Sequence, residues 1–159
     1  MIRIVIADDH APTRLGVQAA LERDEDFEVV ASVADAGAAV EAAMEHRPDL
    51  CLLDINMPGN GIEATSRITT ALPDTAVVML TASRDDNDLF DALRAGASGY
   101  LLKDTDPDRL PLALKGVMDG EAALPRNLVV RLMDEFRQRG RRRKVQIQGR
   151  RAVDLTARE

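Results

Sequence analysis

The chain has 159 residues, is 45% hydrophobic but only 3% aromatic, and contains one cysteine, Cys51. That suits one ordinary domain plus a tail, with a core of aliphatic side chains; a lone cysteine excludes an internal disulfide and fits a reducing cytoplasm. The net charge of −6 hides a split, because residues 1–136 hold 12 Lys/Arg against 25 Asp/Glu and residues 137–159 hold 9 against 2.

Short runs rich in Val, Ile and Leu predict strands at 2–7 (IRIVIA), 27–33 (FEVVASV), 49–54 (DLCLLD), 75–80 (TAVVML) and 98–102 (SGYLL). The central three are near-continuous apolar stretches, as expected of strands covered on both faces. None approaches the roughly 20 apolar residues a membrane-crossing helix needs. The opening MIRIVIADDH meets a charged pair too early for a secretory signal.

Helical patterns lie between the strands. Pro12 sits where a first helical residue belongs, and Asp35 precedes the Ala-rich AGAAVEAAMEHR. Ile62, Ala64, Ile68 and Leu72 recur at helical spacing, and Leu89, Phe90 and Leu93 share a face in a helix that ends at Gly96. After Asp106 come Leu110, Leu114, Val117 and Met118, with Pro111 in tension because it deletes an amide near that helix's first turn. Five strands alternating with five helices predict an α/β domain with a parallel sheet, closing near Gly120. A further amphipathic helix is expected within 121–138, then a basic linker at 139–153 that could touch phosphate in a minor role. Residues 154–159, DLTARE, carry Thr156 and Glu159 in capping-box spacing, the start of another helix.

Three acids fall at predicted strand carboxyl ends: Asp8 and Asp9 after the first strand and Asp54 after the third. Those ends form the ligand crevice of an open parallel sheet. In strand order 2-1-3-4-5 the first and third strands are neighbours, so three carboxylates converge and raise at least one pKa unless a hard cation such as Mg²⁺ or an ammonium is near. Lys103 follows the fifth strand and Thr81 ends the fourth, on the same edge. Together the five groups suit a phosphoryl site. Asp54 would be the nucleophile and Asp8 and Asp9 the metal holders, with Lys103 neutralising phosphoryl oxygens and Thr81 donating to one. Singly, each has a plainer explanation: a helix cap for Asp8 or Asp9, surface charge for Lys103, an ordinary strand end for Thr81.

IVIADDH, LCLLDINMPG, VVMLTA and GYLLKD, in this order, resemble the motifs of bacterial two-component response-regulator receiver domains over residues 1–120. The resemblance implies a flavodoxin-like (βα)5 fold and an Asp54 that accepts phosphate from a sensor histidine kinase. It implies that Asp9, Asp54 and the Asn56 backbone carbonyl ligate Mg²⁺, with Asp8 acting through water. Thr81 and Tyr100 become a switch pair, Thr81 moving toward the phosphoryl group while the Tyr100 ring turns inward. Asn56 and Ser83 are positions that could tune the lifetime of the acyl phosphate. The MPGNGIEA loop is one residue shorter than the common pattern, and Lys103 precedes Asp104 rather than proline, so no cis peptide is expected there.

The LLKD variant is similar to NarL/LuxR-type transcription regulators, whose helix-turn-helix DNA-binding domain typically opens with an LTxRE segment, matched by LTARE at 155–159. On that resemblance the chain is a cytoplasmic switch, not a turnover enzyme. It would form a homodimer on phosphorylation, through the first and fifth helices, and act on DNA through a domain of which only the first residues are here. Two other classes fit the residues less well. An aspartate-nucleophile phosphohydrolase needs a second Asp two residues after the nucleophile, where Asn56 stands. A receiver that never takes phosphate and serves only as an interaction module is opposed by the intact Asp–Thr–Lys set. His10 and His46 are expected to be structural or exposed, and Cys51 buried.

Overall fold

A computed structural model describes residues 1–121, 123–124 and 129–138. Five parallel strands form one sheet: β1 (Ile2–Ala7), β2 (Phe27–Val33), β3 (Leu50–Leu53), β4 (Ala76–Thr81) and β5 (Gly99–Leu102), in the order β2-β1-β3-β4-β5. This is the flavodoxin-like arrangement expected from the sequence. β3 and β5 are buried at every position, because in a doubly covered sheet both sets of alternating side chains face helices.

Five α-helices connect the strands: α1 (Ala11–Glu22), α2 (Ala36–His46), α3 (Gly61–Ala71), α4 (Asp86–Arg94) and α5 (Leu110–Met118). Helix α1 packs on α5, while α2 packs on α3 and α3 on α4. The α1/α5 face buries Ile4, Ile6, Leu50, Leu52, Val78 and Leu80 of the strands against Val17, Leu21, Leu114 and Val117 of the helices. With so few aromatics the core depends on these branched aliphatic chains, each worth roughly 1.5–3 kcal/mol when removed from water.

Local signals explain the helix boundaries. Asp35 caps α2, accepting from the Ala38 amide at 2.8 Å, and Asp85 caps α4 through Asn87 N at 2.9 Å. Helix α1 starts one residue earlier than Pro12 suggests, and its cap is neither Asp8 nor Asp9 but the exposed His10, whose side chain faces the Thr13 amide. The tension at Pro111 resolves because Asp106 first turns the chain into a short 3-10 helix, Pro107–Arg109. Pro111 then falls at the second position of α5, where an amide has no partner within the helix anyway.

One compact unit spans Met1–Pro125, carrying the chain beyond Gly120, and a second spans Arg126–Glu159. Within the second unit residues 129–138 are helical, with Val129, Leu132, Met133 and Phe136 at helical spacing. The basic stretch from 139 and the capping-box residues Thr156 and Glu159 lie outside the described residues. Among the described residues there is no cis peptide bond, and no helix is long and apolar enough to cross a membrane.

Candidate functional site

Strand register brings the acids together. Ala7 pairs with Leu53, so β1 and β3 end level and the next residues, Asp8 and Asp54, emerge side by side. The Asp54 amide still donates to the Ala7 carbonyl at 2.9 Å, carrying the ladder one step past the strand. On the other side Thr81 pairs with Leu102, and the Lys103 amide donates to the Thr81 carbonyl at 2.8 Å, which sets Lys103 on the same edge.

The Lys103 ammonium bridges two buried carboxylates. Its Nζ lies 2.9 Å from Asp8 Oδ2 and 3.2 Å from Asp54 Oδ2. Asp8 and Asp54 are each 3% exposed, whereas Asp9 is exposed at the rim. Asp8, Asp9 and Asp54 each present one carboxylate oxygen within 4.8 Å of the others. Three hard anionic oxygens at that separation fit a hard divalent cation of the Mg²⁺ type far better than a soft one.

The electrostatics follow from burial. Desolvation holds the Asp54 carboxyl above the usual carboxylate range, and the Asp8 charge adds to this, although Lys103 and the Asn56 amide pull the other way. Burial alone would lower the Lys103 pKa, but hydrogen bonds and charge from Asp8 and Asp54 outweigh it and the ammonium is held above its ordinary value. Burial thus works against the Asp54 charge while the Lys103 ammonium favours it.

Other residues fix these groups in place. Arg14, from α1, donates from Nη1 to the Asp8 carbonyl at 2.7 Å, and the His10 amide donates to Asp8 Oδ1 at 2.9 Å. The Asn56 amide reaches toward Asp54 Oδ1 at 3.4 Å while its side chain is exposed. Gly61, the first residue of α3, lies against the peptide that follows Asp54: a Cβ there would meet the Asp54 carbonyl group, with the carbonyl carbon at 2.8 Å and Ile55 Cα at 2.9 Å. Asn60 supplies the sharp entry, with φ of 71° and its side chain accepting from the Ile62 amide at 2.9 Å. Sequence reasoning passed over Arg14 and Gly61, because an Arg on a helix and a Gly in a loop are common without such contacts.

The remaining expected residues form a second string. Thr81 is fully buried and its Oγ1 accepts from the Ser83 amide at 3.0 Å. The Ser83 hydroxyl donates to the Asp88 carboxylate and accepts from the Asp85 amide, so it is engaged with the start of α4. Tyr100 is 1% exposed with its ring already inside, and its hydroxyl donates to the Ser83 carbonyl at 3.3 Å. Burial pushes that phenol up to about 12. Cys51 is buried in β3, and desolvation lifts its thiol to about 12 as well, leaving an inert core residue.

Comparison with known proteins agrees with this geometry. Residues 4–115 match the family described as "Response regulator receiver domain". Over 137 residues the chain is 43% identical to the oxygen regulatory protein NreC of Staphylococcus haemolyticus, covering 85% of this chain but 63% of that protein. The chain therefore spans less than two thirds of the length of such relatives. A LuxR-family two-component response regulator from Aurantimonas sp. SI85-9A1 superposes with a TM-score of 0.79 at 33% identity, covering 85% of this chain and 97% of the other. RcsB, solved as two dimers bound to two parallel DNAs, gives a TM-score of 0.74 at 28% identity, with 84% of this chain and 68% of that one covered.

Proposed function

The chain belongs to the response regulator receiver domain family, and from that premise we propose that Asp54 is a phosphoacceptor whose modification switches this domain between two conformations. The observation that carries the reading is the Lys103 ammonium held between Asp8 and Asp54, at the carboxyl ends of three strands of one sheet. A buried carboxylate with a fixed ammonium 3.2 Å away is a nucleophile with charge stabilisation already in place.

An oxygen of Asp54 forms a bond to phosphorus while the P–N bond of a kinase phosphohistidine breaks. The leaving imidazole keeps the electron pair and takes up a proton. Lys103 offsets charge on the phosphoryl oxygens, and the Thr81 hydroxyl donates to one of them. Asp9, Asp54 and the Asn56 carbonyl are the residues to hold Mg²⁺, with Asp8 acting through water; when bound, the ion neutralises phosphoryl charge. Asn56 and Ser83 flank the site and bear on how long the acyl phosphate survives, Ser83 through its anchoring to Asp88. The domain takes up one phosphoryl group per chain, rather than turning over a substrate.

The output reading rests on NreC, whose name makes it a regulator, and on RcsB, solved as dimers on DNA. On this basis phosphorylation favours a homodimer through α1 and α5, in the cytoplasm, and acts on transcription through a LuxR-type domain that begins near 154. The receiver then runs to the end of the compact unit at 125, past the 120 expected from the sequence, with a linker helix that includes 129–138 and a basic tether at 139–153.

The test is incubation with acetyl phosphate and Mg²⁺ followed by intact mass. A gain of one phosphate, lost in Asp54→Asn and on adding EDTA, is expected. Undiminished labelling of Asp54→Asn would overturn the assignment.

A further inference from the structure

After α5 the chain turns back to the open edge of the sheet. Ala123 forms a parallel bridge with Gly99, and its carbonyl accepts from the Tyr100 amide at 2.7 Å. That amide faces the sheet edge, so without Ala123 it would stand as an unpaired edge donor. The approach depends on glycine: a Cβ on Gly99 would lie 2.9 Å from the Ala123 Cβ and 3.0 Å from its carbonyl oxygen. Ala123 is also half-buried against the apolar core. A groove of about 490 Å³ runs beside it, lined by Leu101, Leu112, Ala113, Ala123 and Leu124.

This contact falls at the end of the hydrogen-bonded string already described. Thr81 Oγ1 accepts from Ser83 N, Ser83 O accepts from the Tyr100 hydroxyl, and Tyr100 N donates to Ala123 O. The string begins at a strand end beside Asp54 and ends two residues before the compact unit closes at Pro125. Side-chain and main-chain positions of Tyr100 are joined through one Cα, so turning the ring out of its pocket disturbs the same residue whose amide holds Ala123.

We propose that Ala123 and Leu124 form a strap that couples the state of Tyr100 to the chain leaving the receiver, with Gly99 as the positioning residue that lets the two backbones meet. The proposal rests on the phosphoacceptor reading of Asp54 and deepens it by naming the element through which that site is read out. The physical requirement is a two-state element whose equilibrium both ends bias. The strap qualifies because the Ala123–Gly99 bridge and a glycine-sized gap seat it on β5.

Tyr100 is the only tyrosine and there is no tryptophan, so its fluorescence reports one ring. The experiment uses the full 159-residue chain with and without acetyl phosphate and Mg²⁺. Phosphate uptake is followed by intact mass, the ring by fluorescence, and the Tyr100 and Leu124 amides by hydrogen exchange. In the unaltered chain, phosphorylation is expected to change exchange at both amides by at least about fivefold, the lower end of ordinary coupling.

Gly99→Ala is expected to take phosphate at the unaltered rate and keep the ring's fluorescence response. Its Tyr100 amide should exchange at least about fivefold faster in both states, and the phosphorylation-dependent difference at Leu124 should vanish. Adding Ala123→Gly, which removes the closer clash, should restore part of that difference. Uptake of phosphate with no change in exchange at either amide overturns the strap alone, and needs only the unaltered chain. So does a Gly99→Ala protein whose Leu124 amide still responds. Failure of the unaltered chain to take phosphate would overturn the phosphoacceptor reading, and the strap with it.

Discussion

Gly61→Ala tests how Asp54, the proposed phosphoacceptor, is held. The new methyl carbon would sit 2.8 Å from the Asp54 carbonyl carbon and 2.9 Å from Ile55 Cα. Carbon atoms in contact prefer about 3.5–4.0 Å, so the main chain after Asp54 must retreat by at least roughly 0.7–1.2 Å, and the Asp54 carbonyl oxygen, closer still to the new methyl, adds to the demand. Neither partner can rotate away, since both atoms are backbone. Overpacking of this kind costs about 1–3 kcal/mol of stability, and a misplacement near 1 Å at a reacting group costs on the order of 10²-fold in rate. The control is Gly16→Ala, because nothing lies within 4 Å of a Cβ there and the residue is inside α1. Replacing that glycine should stabilise the helix by roughly 0.5–1 kcal/mol. Thermal melts and the initial rate of phosphate uptake from acetyl phosphate, by intact mass, read both effects. A folded Gly61→Ala protein labelled within threefold of the unaltered rate would refute the claim that this contact sets the position of Asp54.

Lys103→Met keeps the stem and removes the charge 3.2 Å from Asp54, so the Asp54 pKa should climb further above the usual range. The acid limb of the uptake rate then moves to higher pH, and the rate itself falls by about 10²–10³-fold, as when one stabilising donor is lost; an unmoved limb would refute the coupling. The sign for stability is separate. Lys103 has a raised folded pKa, so its contribution is complete below its unfolded value of 10.5 and fades as pH rises through the folded value. Unaltered protein should therefore lose more stability above pH 10.5 than Lys103→Met in denaturant titrations, with a loss common to both from Tyr100, whose raised phenol pKa the substitution leaves in place. Leu15 on α1 and Leu112 on α5 are 58% and 78% exposed. Changing both to Glu should prevent a dimer in sedimentation of the phosphorylated chain while phosphate uptake is unchanged, because each buried leucine is worth about 1.5–3 kcal/mol.

What was legible in the sequence is what depends on strong local pattern. Near-continuous apolar runs located β3 and β4, and once the strand order was expected, the positions of Asp8, Asp54, Thr81 and Lys103 at strand ends implied their meeting. What stayed hidden depends on close approach between distant segments. Gly61 and Gly99 look like ordinary loop and strand glycines until the Asp54 carbonyl and the Ala123 backbone stand beside them. The His10 cap was missed because histidine is a weak capping residue, chosen here by the Thr13 amide within 3.4 Å. Arg14 offered no signal either, since its partner is a main-chain carbonyl six residues back. Pattern reports the faces of elements; it is silent on the gaps between them.

The Tyr100 ring is where the expected switch meets the geometry. Resemblance implies a ring that turns inward in response to phosphate, and in this structure the ring lies inward, 1% exposed. The inward position is held by a hydroxyl contact of 3.3 Å, long for an O–H donor, and by burial of the ring. The long bond at the tip adds little, so burial of the ring is what chiefly favours the inward position. Moving such an equilibrium from one part in a hundred to ninety-nine takes about 5.5 kcal/mol of differential binding, and a smaller shift takes less. New charge-assisted hydrogen bonds to a phosphoryl group, at roughly 1.5–3 kcal/mol each, cover that with two or three partners. Only a partner whose contact differs between the two ring positions counts toward that shift. Lys103 stands on Asp54 in either case, so the bias has to come through Thr81: drawn toward a phosphoryl group on Asp54, it leaves space for the inward ring.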